Sequence, residues 1–339
     1  MSHNKGFCSR GRARTRRKAV RSFITFALVV GATVECFHLP AVPRDAVSYW
    51  GFAAPWDVRS GQTIAGHSDK LAVLVSGWIA FDTLSFRPAA LYPDTVKSNA
   101  ASRFALVTTY AGDRFHPDIL RGLASDPRAL GAAAGAVAAL VDSGRYTGVV
   151  LDLEGLTSRD LDVLLAATKA FADSSRAHGA ATIVAAVPAA DTAAYPSALL
   201  LSSANFIMPM LYDEHWSGSA PGPIADPDWA LGYLRARVAE VGATKIIAAF
   251  PVYGYRWRTN AETEIVSYAD ARRLAETTNT PLSRDPASGS LHAISAQGWE
   301  MWVSDRALLD TLVARSRRIG VRNFALWRLG LEDPSIWAR

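Results

Sequence analysis

From about residue 46 onward the chain alternates short apolar runs, rich in Val, Ile, Ala and Phe, with amphipathic stretches. Eight runs predict strands, at 47–53, 71–78, 104–110, 147–154, 182–188, 206–212, 245–251 and 322–328. Most are continuously apolar, as expected of parallel strands covered by helices on both faces. Helical periodicity is clearest at 127–143, 158–178, 228–241 and 305–319. Eight βα units over 46–339 predict an α/β chain folded as a (β/α)8 TIM barrel. A doubly wound open sheet would carry a Gly-rich phosphate loop after its first strand. Residues 48–57 instead read SYWGFAAPWD. The longer polar stretch 258–304 predicts a small rim insertion of short strands between the seventh and eighth barrel strands.

Charge divides the chain. Residues 1–22 hold eight of the 36 basic residues and no acid, leaving 28 basic against 31 acidic residues beyond them. A basic tail on a slightly acidic body excludes a nucleic-acid-binding domain. The uncharged run SFITFALVVGATV, 22–34, follows the tail. Together they predict a signal peptide or signal anchor over 1–36, a linker over 37–45 and the barrel over 46–339. The body is therefore expected to be exported, periplasmic or extracellular, with membrane contact only through that first segment, anchored to the inner membrane by 22–36 if the signal stays uncleaved. Both cysteines, Cys8 and Cys36, precede the body, so it has no thiol nucleophile and no disulfide.

The chemistry concentrates in GVVLDLEGL, 148–156. Strand residues two apart share a face, so Val150, Asp152 and Glu154 point to the barrel axis and Val149, Leu151 and Leu153 to the helices. Glu154 is then the last strand residue, at the C-terminal mouth where barrel active sites lie. Two close buried carboxylates cannot both ionise freely, so one keeps its proton near neutral pH and can serve as a general acid. A carboxylate-bound Mg²⁺ is the alternative. It calls for a third acid on a neighbouring strand end, and the third and fifth strands offer none. The seven histidines show no pair at zinc-ligand spacing. No metal and no cofactor is expected.

Residues 147–154, TGVVLDLE, resemble the fourth-strand signature D-G-x-D-x-D-x-E of glycoside hydrolase family 18, the chitinase-like family. Gly148, Asp152 and Glu154 match, while Thr147 and Val150 replace two acids. Met210-Leu-Tyr212-Asp213 resembles the family's M-x-Y-D motif. EHWSGSAPGPIADPDW, FPVYGYRW (250–257) and LWRLGLEDPSIW (326–337) resemble a branch found in bacterial spore and envelope proteins. The last also resembles hydrolase-like modules fused to polysaccharide deacetylases. The resemblance covers about 46–339 and implies a retaining hydrolase of β-linked N-acetylglucosamine polymers, assisted by the substrate's own acetamido group.

It further implies Glu154 as general acid/base, Asp152 as the group orienting the acetamide, and Tyr212 as its hydrogen-bond donor. Asp213 would orient the sugar and Trp327 would lie under it. Trp78, His215 and Tyr253 complete the expected glycan contacts. Of the ten tryptophans, Trp78, Trp216, Trp257, Trp302 and Trp327 fall at predicted strand ends or rim loops, where rings can stack on sugars. With Val150 in place of an acid, Asp152 is expected to ionise more readily and catalysis to be slower or narrower in pH. The replaced acids also leave open a non-catalytic glycan-binding module on the same fold. The partner is a glycan, not nucleic acid, and the chain is expected to be a monomer.

Overall fold

The structure, a computed structural model, describes residues 47–92 and 97–338. The segments expected at 1–36 and 37–45 lie outside the described residues. Eight parallel strands form the barrel: β1 (Ser48–Phe52), β2 (Val73–Phe81), β3 (Ser102–Thr108), β4 (Gly148–Asp152), β5 (Thr182–Pro188), β6 (Phe206–Met210), β7 (Ile247–Pro251) and β8 (Asn323–Trp327). Each pairs with the next, and β1 closes the ring by pairing with both β2 and β8, through Trp50↔Val73 and Ser48↔Asn323. Among the described residues no helix is long and apolar enough to cross a membrane.

Each strand divides its side chains between two cores. Val149, Leu151 and Leu153 pack outward with Val137, Val141, Phe171 and other residues of the surrounding helices. Val150 points inward, fully buried with Trp50, Phe104, Leu106, Val184 and Met208. Gly148 makes room for this filling, because a Cβ there would come within 2.3 Å of the Phe104 ring. Phe104 in turn meets Trp50 edge-on, with centroids 5.0 Å apart.

The outer helices are α1 (Val58–His67), α2 (Pro117–Ala124), α3 (Pro127–Ser143), α4 (Leu161–Ala177), the single turn α5 (Ser197–Leu200), α6 (Pro227–Val241) and α8 (Arg306–Arg318). Their starts are chemically marked. Asp126 and Asp226 cap α3 and α6 through their carboxylates, and each is followed by a proline whose missing N–H is not needed in the first turn.

The rim insertion begins earlier than the sequence pattern suggests, at Gly254 rather than 258. It is a five-stranded antiparallel sheet ordered Ala261–Val266, Gly254–Arg258, Trp299–Val303, Leu291–Ser295 and Ser283–Arg284, with helix α7 (Tyr268–Thr277) packed on it. FPVYGYRW thus runs from a barrel strand directly into the insertion, carrying Tyr253 and Tyr255 over the barrel mouth.

Candidate active site

A cavity of about 740 Å³ opens at the C-terminal ends of the barrel strands. Its walls are mainly apolar and aromatic, with Asp152, Glu154 and Asp213 as their carboxylates. Asp152 ends β4, directly opposite Thr108 at the end of β3. That register lets the Thr108 hydroxyl donate to Asp152 Oδ2 at 2.9 Å. Asp152 Oδ1 is buried and receives no hydrogen bond from a fixed donor.

Glu154 lies two residues beyond the end of β4, a correction to its expected place as the last strand residue. Gly155 follows at φ 82°, and the chain turns there. Burial pushes the Glu154 carboxyl well above its ordinary range, and the charges of Asp152 and Asp213 push it further. Burial likewise raises Asp152 to about 6, against the lowering influence of the Thr108 hydroxyl and of Glu154. Val150 adds no charge of its own, yet Asp152 still lies above the ordinary carboxylate range. Removing the acid at position 150 removes a like charge, but the apolar interior that replaces it disfavours the carboxylate by itself. The interaction between the two carboxyls lowers Asp152 and raises Glu154, so it favours the proton on Glu154 and the charge on Asp152, and they titrate as a pair.

Tyr212 and Trp327 supply the aromatic surface of the cavity. Their rings are parallel, 6° between planes and 6.0 Å between centroids. Trp78 lies 6.2 Å from Trp327, its indole N–H donating to the Ala53 carbonyl at 3.0 Å. Asp213 lines the cavity from a left-handed backbone conformation, φ 58°. Its Oδ1 accepts from the hydroxyls of Tyr253 and Tyr255, both brought in by the chain leaving β7. Burial raises its carboxyl, and the two phenols oppose that.

Six of the eight residues expected at the site thus line one cavity: Glu154, Asp152, Tyr212, Asp213, Trp327 and Trp78. Tyr253 does not. It is 3% exposed and reaches the site only through Asp213, so it is a support rather than a wall. His215 does not either. Its Nδ1 lies 3.0 Å from the Ala220 carbonyl and its ring covers Gly222, which makes it a loop staple. Trp216, Trp257 and Trp302 are also absent from the lining; Trp257 and Trp302 pack in the insertion.

Sequence reasoning missed Thr108, Trp56, Tyr92 and Arg328. Trp56 meets Trp78 edge-on at 4.9 Å and Tyr92 at 5.5 Å, and the Arg328 guanidinium lies 5.3 Å over its ring. The aromatic run after β1 was the available signal for Trp56. Thr108 had none, because its role depends on which strand lies beside β4.

No family model matches the chain. A protein of Bacillus subtilis (strain 168) named as a sporulation-specific glycosylase, YdhD, is 24% identical over 259 residues, which cover 72% of this chain and 61% of that protein. The chain thus spans about three-fifths of that relative's length. Among solved structures, a chitinase from Chromobacterium violaceum superposes with a TM-score of 0.75 at 18% identity, over 86% of this chain and 97% of that one. The Bacillus cereus spore cortex-lytic enzyme SleL gives 0.74 at 16% identity, over 86% and 73%. The chain therefore has the (β/α)8 barrel fold of the chitinases and spore cortex-lytic enzymes that are its structural neighbours.

Proposed function

We propose that the chain is an exported glycoside hydrolase acting as a monomer on β-linked N-acetylglucosamine-containing polysaccharide, whether chitin-like, peptidoglycan or exopolysaccharide, with retention of configuration. The observation that carries this reading is that the Asp152 and Glu154 carboxyls line one cavity together with the parallel rings of Tyr212 and Trp327. Two acids that contact each other cannot stand on opposite faces of one glycosidic bond as acid and nucleophile. They can serve a reaction in which the substrate supplies the nucleophile.

In that reaction Glu154 gives its proton to the glycosidic oxygen as the bond to the anomeric carbon breaks. The carbonyl oxygen of the 2-acetamido group attacks that carbon and forms an oxazolinium ion. Ionised Asp152 accepts the acetamide N–H and stabilises the positive charge. The Tyr212 hydroxyl donates to the acetamide oxygen, Asp213 orients the sugar, and Trp327 lies beneath its apolar face. Glu154, now a carboxylate, takes a proton from the water that opens the ring, returning the site to its starting state. The named activities of the similar proteins support this substrate class, and the basic-then-apolar leader in 1–36 supports export.

The test is turnover of N-acetylglucosamine oligomers and peptidoglycan fragments by the full chain, with Glu154→Gln alongside. Products are read by mass spectrometry and their anomeric form by NMR. Cleavage with retention, abolished in the variant, is the expected result; inversion would overturn the mechanism. A second reading, a glycan-binding module, is favoured by Val150, which leaves an apolar residue where the resembled signature carries an acid. Saturable binding without cleavage would establish it.

A further inference from the structure

Glu154 stands on a turn rather than on the strand, and the group that fixes this turn comes from another loop. Leu153 to Leu156 reverse the chain with Gly155 at φ 82°, a value that a type II turn requires at its third residue. A Cβ there would also lie 3.2 Å from Pro117. In a closed turn the amide of the fourth residue bonds the carbonyl of the first. Here a phenol stands between them. The Leu156 N–H donates to Tyr195 Oη at 3.1 Å, and the Tyr195 hydroxyl donates to the Leu153 carbonyl at 3.1 Å. Glu154 is thus held between two anchor points on one hydroxyl. Tyr195 is 2% exposed, and burial raises its phenol above the ordinary range, so the hydroxyl remains a donor.

Tyr195 is itself anchored. Arg237 on α6 has no solvent-exposed surface. Its Nη1 donates to the Tyr195 carbonyl at 2.7 Å and to Ser197 Oγ at 3.1 Å; its Nη2 donates to the carbonyls of Pro188 at 2.7 Å and Asp191 at 3.1 Å. Glu240, one turn further along α6, accepts the Ser197 N–H at 3.0 Å. A guanidinium is tolerated in an interior only where its donors are placed. The four acceptors are the last residue of β5, Pro188, and three residues of the segment that follows it.

We propose that Tyr195 is a positioning residue for Glu154, with Arg237 as its anchor, so that the segment after β5 sets the aim of the acid on the turn after β4. Neither residue lines the cavity. The proposal rests on the reading of Glu154 as general acid.

The test compares the full chain with Tyr195→Phe, which keeps the ring and removes the hydroxyl, and with Arg237→Lys, which keeps the charge and loses the planar fork. Amide hydrogen exchange at Leu156 is expected to quicken by at least about tenfold in Tyr195→Phe while β5 keeps its protection. On a cleaved glycan, kcat is expected to fall roughly tenfold to a hundredfold with KM within about twofold. Arg237→Lys should change both in the same direction but less. Unchanged exchange at Leu156, unchanged kcat, or protection lost throughout the barrel would each overturn the proposal. If the wild-type chain cleaves no glycan, the hydrolase reading fails separately, and exchange at Leu156 still decides whether the phenol holds the turn.

Discussion

Thr108 Oγ1 donates to Asp152 Oδ2 across the β3–β4 pairing at 2.9 Å. Thr108→Val keeps the shape and removes the donor. Asp152, held at about 6, should then move higher, because the lost bond favoured the ionised form. We expect the acid limb of the kcat/KM profile to move up by about half a unit to one unit, and activity at pH 6 to fall by about twofold to fivefold. A profile superimposable on wild type would remove Thr108 from the site's electrostatics.

The pair predicts a bell-shaped pH dependence. Activity needs Asp152 ionised and the proton on Glu154, so kcat/KM should drop below about pH 6 as Asp152 protonates and fall again at higher pH as Glu154 ionises. The limbs report the pair rather than separate residues. A pH–rate series on an oligomeric substrate checks this, and a flat response from pH 5 to 7 would contradict it.

The same shifts bear on stability. Both carboxyls bind their protons more tightly in the folded chain than in the unfolded one. Their contribution is present at low pH and lost as pH rises, for Asp152 between 3.8 and about 6. At pH 7.5 the folded chain therefore holds charge in an unfavourable place. Asp152→Asn should be more stable there by roughly 1–2 kcal/mol, a Tm rise of about 2–5 °C, while losing activity. Because the group faces a solvent-accessible cavity, this is smaller than the whole shift would give. Thermal melts at pH 4 and 7.5 should show the gain only at the higher pH.

Val150→Asp places an acid in a sealed apolar layer. We expect it to lower stability by about 2–4 kcal/mol. If the new acid stays protonated it can donate toward the orphan Asp152 Oδ1, so the acid limb of the activity profile should move down. Denaturant titration and the pH–rate series read the two effects separately; an unmoved limb would count against a link between these positions.

Tyr253→Phe removes one of the two phenols on Asp213. Asp213 then has Tyr255 alone to hold it in its left-handed backbone position, and its carboxyl rises further. A loss of about threefold to tenfold in kcat/KM, carried mainly by KM, is expected. An unchanged KM would show that Asp213 needs only one donor.

The barrel was legible in the sequence because parallel strands buried on both faces leave continuous apolar runs and the helices between them keep an amphipathic period. The run at 182–188 and the helix at 127–143 match the observed elements residue for residue. The acidic strand was legible from side-chain alternation, which set Val150 inward and Leu151 outward. What a single sequence does not carry is which elements lie side by side. Thr108 matters because β3 neighbours β4, and Tyr195 because the segment after β5 reaches back to the turn after β4. Tyr253 was expected as a glycan contact, but the fold turns its hydroxyl toward Asp213 and leaves it out of the cavity lining. Where Asp152 titrates was not legible for a related reason. Counting acids along a strand registers the missing charge but not the dielectric of the layer that replaces it.

Pairing β1 with β8 has a kinetic consequence. The ring closes only when strands from opposite ends of the described chain meet, as Ser48 and Asn323 do. Contacts so far apart in sequence form late, since loop entropy must be overcome before they stabilise anything. Until β8 is made, β1 and β7 each present an unpaired parallel edge on which other chains can build. A ribosome paused anywhere in the insertion, or a protease cutting there, would leave an open and aggregation-prone sheet rather than a smaller working barrel.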